Sequence, residues 1–437
     1  TRAVCAEGCT GMSSPKRYLW DERPWQQSWR YNTGGNAEPM VSRGLFPRQL
    51  NPQGTPLACF DDPLFKKSPA LRRQQAEPLF ESLFTRSSLM MFMLGEILTQ
   101  AVITINSPAT RARRELPNLP RRLRRVIFTV PTAMPVAEKR IFRRWVLWAV
   151  RVVWEALGWS AWHTENGKRT IRDYRASPVI RCDWDEASCS QLVLLYNELG
   201  VKHHGDAHHL FQILGKPRAA YDNRPCVRVA SLDIGGGTTD LSITTYELAS
   251  APGETARIVP HTEFRDGFNR AGDEVLRAVV ARHIIPAVEQ ELQKRGVDDP
   301  SGLIARYFGR DAIGTSQRER NTRVRLVRQI AAPVALGILT LCEEGQAVSG
   351  KTCRIRDFFL PAQDDEPRDT SMPFRAPHPQ KETLAAINEL ARRMYPSIED
   401  FSIMDVPLDI VPEAVDKTIL DTLGDALSSL CELVRLY

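Results

Sequence analysis

The chain has 437 residues, 43% hydrophobic and 25% charged, a balance that fits a folded protein of two or more domains and excludes a disordered or low-complexity chain. Its net charge of +6 is too small to imply a nucleic-acid partner, and its nine cysteines, scattered and odd in number, fit free thiols in a reducing cytoplasm better than a disulfide framework. Positions 1–12 lack a signal-peptide core, and the longest apolar run, around 145–154, is broken by Arg151, so no membrane span is expected.

Residues 1–85 are rich in Pro, Gly, Arg and aromatics and have weak periodicity. Trp20, Trp25 and Trp29, beside Tyr18 and Tyr31, read as packing within a loop-rich region rather than as a ligand-stacking surface. Helical spacing predicts a helix over 87–105, with Ser87 or Ser88 as its cap. Arg111, Arg113, Arg114, Arg121, Arg122, Arg124 and Arg125 then face only Glu115. Without interleaved aromatics or a recognised reading module, that run reads as a solvated basic loop, not a nucleic-acid interface. A short buried strand, 126–130, closes at Pro131. A long helix follows from Val136 to Leu157, with Gly158 as its C-terminal stop.

Asp185 and Glu186 open another helix, where a first-turn acid suits the helix dipole. Residues 200–225, with His203, His204, Asp206, His208 and His209, read as a solvated insertion. Imidazole and carboxylate are zinc ligands, but no second ligand cluster stands nearby. A strand pair is expected around 256–259, and a helix from Phe268 through Ile284. A long amphipathic helix is expected over 317–341, kinked at Pro333. Residues 350–380 read as a loop, and 382–394 and 415–436 as helices.

The most informative stretch is Asp233-Ile234-Gly235-Gly236-Gly237-Thr238-Thr239-Asp240-Leu241. An apolar strand, 227–232, leads in, and the alternating Leu241-Ser242-Ile243-Thr244 leads out, so the glycines turn a β-hairpin. Glycine lets backbone approach an anion and take positive φ, and successive N–H groups can form a nest for phosphate. Thr238 and Thr239 add hydroxyl donors. A Walker loop needs Gly-Lys-Ser/Thr, and a dinucleotide fingerprint needs a helix after the glycines; neither is present.

This hairpin resembles the second phosphate motif of the actin-like ATPase superfamily, which includes DnaK chaperones, actin, MreB and sugar kinases. The resemblance implies an α/β, ribonuclease H-like fold of two lobes binding ATP and Mg. Asp233 would act near the metal, through water, and near the attacking water. Gly235, Gly236, Gly237, Thr238 and Thr239 would hold phosphates, and Asp240 would be structural. Thr129-Val130-Pro131 is similar to a segment that DnaK-like and MreB-like proteins place before a connecting helix. Glu186 matches in order a glutamate that faces the nucleotide's metal and water there, although the following proline is missing and the spacer to Asp233 is longer. The glycine hairpin and this segment argue against a sugar kinase.

Three further stretches run from Tyr18 to Gln27, from Arg86 to Ala109, and from Arg121 to Glu138. With the hairpin, their order resembles the bacterial SrfB family of virulence-associated proteins. That resemblance implies protein partners from the same virulence locus. Family members are longer, no first Asp-x-Gly-Thr hairpin precedes Arg86, and no adenosine turn follows Leu341. The expectation is therefore a fold incomplete at both ends, with domains at 1–85, 86–225 and 226–437. It is read as an ATP-dependent switch in the full-length protein, with ATPase activity expected only of that form and not of this chain alone, or alternatively as a non-catalytic scaffold.

Overall fold

The structure is a computed structural model that describes residues 15–24, 49–62, 68–74, 76–77, 84–165, 168–173, 175–250, 253–309, 316–343, 353–361 and 374–436. Trp25, Trp29, Tyr31, Cys5 and Cys9 lie outside these residues. Two compact units emerge. One holds the described residues up to 269 together with 429–436, and the other holds 270–428. The division between them falls at 269/270. The glycine hairpin shares its unit with the first long helices.

The first unit is built on two helices, α1 (Ser88–Asn106) and α2 (Val136–Ala156). Residues at helical spacing on α2, including Phe142, Trp145, Ala149, Val152 and Val153, are buried against Met90, Met91, Leu94 and Leu98 of α1. Trp145, Trp148 and Trp154 are almost wholly enclosed. The Trp145 indole donates to Ser87 Oγ at 2.6 Å, and that of Trp154 to the Arg175 carbonyl at 2.9 Å, so the large rings are buried with these N–H groups satisfied. Gly158, at φ +67°, follows the last turn of α2, where a side chain would be strained.

By length and composition α1 is apolar enough to cross a membrane, with mean hydropathy 1.7, as is the run Arg318–Glu343 at 1.5. This corrects the expectation that no segment reaches that length. The sequence reading fixed on 145–154 and overlooked α1, which holds one charged residue, and the apolar C-terminal part of 318–343. Both helices place part of their apolar surface in hydrophobic cores.

Helix α2 is the crossover of a parallel pair. Strand β1 (Arg125–Val130) is followed by α2 and by a hairpin of β2 (Ser160–Glu165) and β3 (Lys168–Asp173). Strand β4 (Val179–Asp185) then pairs with β1, from Arg125 opposite Val179 to Val130 opposite Asp185. Parallel strands require such a crossover. Its consequence is that the loop after β1 and the helix after β4 start side by side.

That helix is α3 (Glu186–Tyr196). The supposed solvated insertion after it is structured: a π-helical turn, Asn197–Lys202, then α4 (Ala207–Leu214), then the short strand β5 (Lys216–Arg218). Asp206 caps α4 by accepting from His209 N, and Ala207, Leu210 and Phe211 are buried, the last two beside Tyr246. The histidines concealed this amphipathic turn of helix. The His203 and His209 rings meet edge to face, with Nδ1 of one 3.1 Å from Nδ1 of the other.

A four-stranded antiparallel sheet, ordered β5–β6–β7–β8, completes the unit. Its long members are β6 (Arg224–Ile234), β7 (Thr239–Leu248) and β8 (Ile258–Phe268). The expected strand pair near 256–259 is therefore one long strand. Phe268 ends it, and the next helix starts only at Gly272. Helix α3 covers one face of the sheet through Gln191. Its amide donates to Ser231 Oγ at 2.8 Å and its carbonyl accepts from Tyr246 OH at 2.9 Å.

The second unit is mostly helical, with helices Gly272–Val279, Ile285–Lys294, Ser301–Phe308, Gln317–Leu326, Ala332–Glu343, Lys381–Met394 and the start of Pro412–Leu436. Ser316 and Glu319 form a capping box that starts one of them. The predicted disturbance at Pro333 takes the form of a π-helical turn, Val327–Ala331, which absorbs the missing N–H without ending the helix.

Candidate functional site

Everything predicted for the site lies in the first unit. Strands β6 and β7 pair to their ends, Asp233 opposite Asp240 and Ile234 opposite Thr239, leaving Gly235 to Thr238 as a four-residue loop. Gly235 N donates to the Thr238 carbonyl at 2.9 Å and closes it. None of the three glycines adopts the left-handed conformation. The positive-φ nest expected from the sequence is thus not formed; the tight contact within the loop is instead where a Cβ on Gly235 would come within 3.2 Å of the Thr238 carbonyl. Among the described residues, Gly236 and Gly237 N–H groups have no hydrogen-bond partner.

Directly opposite residues of an antiparallel pair point to one face. Asp233 and Asp240 therefore share the face that α3 covers. Asp240 is buried, and three elements meet on it. Thr132 N, from the loop after β1, donates to its Oδ1 at 2.6 Å, and Thr238 Oγ1 donates to its Oδ2 at 3.2 Å. Gly267, its partner on β8, leaves no room for a side chain: a Cβ there would lie 2.9 Å from Ala133 Cβ and 3.1 Å from Asp240 Oδ1. Burial raises the Asp240 carboxyl above the usual aspartate range, against the Thr132 hydrogen bonds, and the Glu186 charge adds to the rise.

The N-terminus of α3 supplies the other acids. Asp185 caps the helix, its Oδ1 accepting from Ser188 N and its Oδ2 from Ser188 Oγ, each at 2.8 Å, and Arg265 Nη1 lies 3.5 Å from Oδ2. Ser190 Oγ lies 3.1 Å from Asp233 Oδ2 and 3.0 Å from the backbone carbonyl of Glu186, one turn earlier on α3. The Glu186 carboxylate is engaged by Lys16, whose Nζ lies 2.5 Å away and also donates to the Thr129 carbonyl at 3.0 Å.

Sequence reasoning missed Lys16, Thr132 and Gly267. Thr132 alone had a local signal, its place in the Pro-flanked loop after the Thr129-Val130-Pro131 segment. Thr239, predicted as a phosphate donor, is fully buried at the start of β7.

Four carboxylates, Asp185, Glu186, Asp233 and Asp240, thus face two cations, Lys16 and Arg265. Among the described residues no three His, Cys, Asp or Glu side chains group closely enough to hold a metal ion themselves. The histidines at 203–209 likewise form no metal-binding group.

A cavity of about 450 Å³ opens beside the hairpin, with Thr238, Asp240, Gly267, Lys16 and the loop residues Pro131 to Pro135 in its wall. Of the predicted phosphate-binding residues, Thr238 faces it.

No curated protein matches the chain. The family model described as "Virulence factor SrfB" matches residues 1–437, the full length of the chain. On that match the chain belongs to the SrfB family.

Proposed function

We propose that this chain is the nucleotide-binding core of a SrfB-family protein, with an actin-like α/β fold, and that Mg-ATP at the hairpin switches its conformation in the full-length cytoplasmic protein. The observation that carries this reading is the convergence on one hairpin of three segments distant in sequence: the loop after β1 through Thr132, the start of α3 through Asp185, Glu186 and Ser190, and β8 through Gly267. In α/β proteins ligands gather at the carboxyl ends of parallel strands, and β1 and β4 end here.

In this reading Thr238 and the Gly236 and Gly237 amides hold phosphate oxygens. Asp233 orients a hydrated magnesium or a water, and Glu186 assists once it exchanges Lys16 for that water. Magnesium, when bound, would neutralise charge on the phosphates. The output is a changed surface for a protein partner, coupled to the site because Asp240 ties the hairpin to the loop that starts α2.

A second reading, a scaffold that keeps the hairpin as structure, draws support from three observations. Glu186 is paired, Thr238 is bonded to Asp240, and the glycines form no left-handed nest. Hydrogen exchange separates the two readings. A switch predicts that Mg-ATP slows amide exchange at 233–240 and at 131–135 together. Unchanged exchange at both segments under saturating Mg-ATP leaves the scaffold.

A further inference from the structure

Two chemically distinct sets of residues line the cavity beside the hairpin. One is polar: Thr238, Asp240 and Lys16. The other is aromatic: Trp20, Tyr18 and Phe268. Tyr18 already carries the Arg86 guanidinium, 5.1 Å from its ring centre. Trp20 is different. It leaves 60% of its surface exposed, although Leu19 before it is wholly buried. Tryptophan is usually highly buried, and an indole left open on a cavity rim is a surface for another π-face.

We infer that this cavity seats a nucleobase on Trp20, so that the ligand is a nucleoside polyphosphate held by its base as well as by its phosphates. The inference rests on the nucleotide reading above and adds the base seat, built from residues that precede the first long helix. The volume, about 450 Å³, lies within the range of cavities that take small organic ligands and exceeds what a phosphate group alone needs. The Lys16 ammonium, paired with Glu186, stands in the same wall as Thr238 and would have to release that carboxylate to meet an anion. Base–aromatic stacking tolerates any base, so recognition at Trp20 selects for a π-face and not for one nucleotide.

The polar and aromatic sets predict separable effects. Calorimetric titration of the 437-residue chain with Mg-ATP and with Mg-tripolyphosphate reads each. ATP is expected to bind at least about tenfold more tightly than tripolyphosphate. Trp20→Ala should weaken ATP by about tenfold and leave tripolyphosphate unchanged, while Trp20→Phe should keep most of the ATP affinity. Trp20 is exposed, so neither variant disturbs the core. Equal binding of ATP by the wild type and Trp20→Ala, or equal loss of both ligands, overturns the base seat and leaves the phosphate site standing. Failure of both ligands to bind the wild type overturns the nucleotide reading and the base seat with it.

Discussion

Replacing Asp240 by alanine and by asparagine tests whether this residue joins the hairpin to the loop after β1. The alanine variant removes the acceptor of the 2.6 Å bond from Thr132 N and of the 3.2 Å bond from Thr238 Oγ1, and strands a buried N–H. A hydrogen bond to a charged acceptor contributes about 1.5–3 kcal/mol, so a loss of roughly 2 kcal/mol is expected. For a unit of this size that corresponds to a fall of roughly 4–8 °C in its melting temperature. Asparagine keeps an oxygen for Thr132 N–H and offers an amide to the Thr238 oxygen, without the charge that burial disfavours. It should melt at or above the wild type at neutral pH. Differential scanning calorimetry of the three proteins decides the matter. An asparagine variant as unstable as alanine, or an alanine variant indistinguishable from wild type, refutes the joint.

The pH dependence follows from the same carboxyl. Because its folded pKa is raised, folded Asp240 holds its proton more tightly than the unfolded chain does. Its contribution to stability therefore falls as pH rises from about 3.9, the ordinary aspartate value, through the raised folded value, and is constant above it. The advantage of Asp240→Asn over wild type should grow across that window in urea titrations; a constant or shrinking difference contradicts the assignment. Gly267→Ala should cost about 1–3 kcal/mol, since its Cβ meets Ala133 Cβ at 2.9 Å and Ala133 N at 3.3 Å; an unchanged unfolding midpoint would show that the contact relaxes freely. Gln191→Ala leaves Tyr246 OH and Ser231 Oγ without their partner beneath α3 and should cost about 1–3 kcal/mol, read as an earlier urea midpoint, whereas wild-type stability would mean that water replaces the amide.

The hairpin was legible because its information is local. Alternating strands, a glycine turn and an aspartate at each end specify it within a few residues. The long helices were legible for the same reason: Trp145, Ala149 and Val152 carry their period, and Gly158 marks the stop. What the sequence hid is contact at long range. Thr132 reaches Asp240 across 108 residues, and Lys16 reaches Glu186 across 170, with no periodicity near Lys16 to mark it. Helix α4 was hidden by composition, since its histidines read as loop although Ala207, Leu210 and Phe211 form a buried stripe. Thr239 illustrates the opposite error. A hydroxyl beside a glycine loop reads as a donor, but strand pairing with Ile234 and Phe268 buries it.

Titration of Mg-ATP into the 437-residue chain, beside an Asp233→Ala control, tests the central claim most directly. Asp233 is only partly buried and bonds Ser190 through one oxygen, so alanine there leaves the sheet intact. The account predicts saturable heat of binding in the wild type and its loss in Asp233→Ala. Binding of equal strength in both proteins, or none in the wild type, contradicts a nucleotide site at this hairpin.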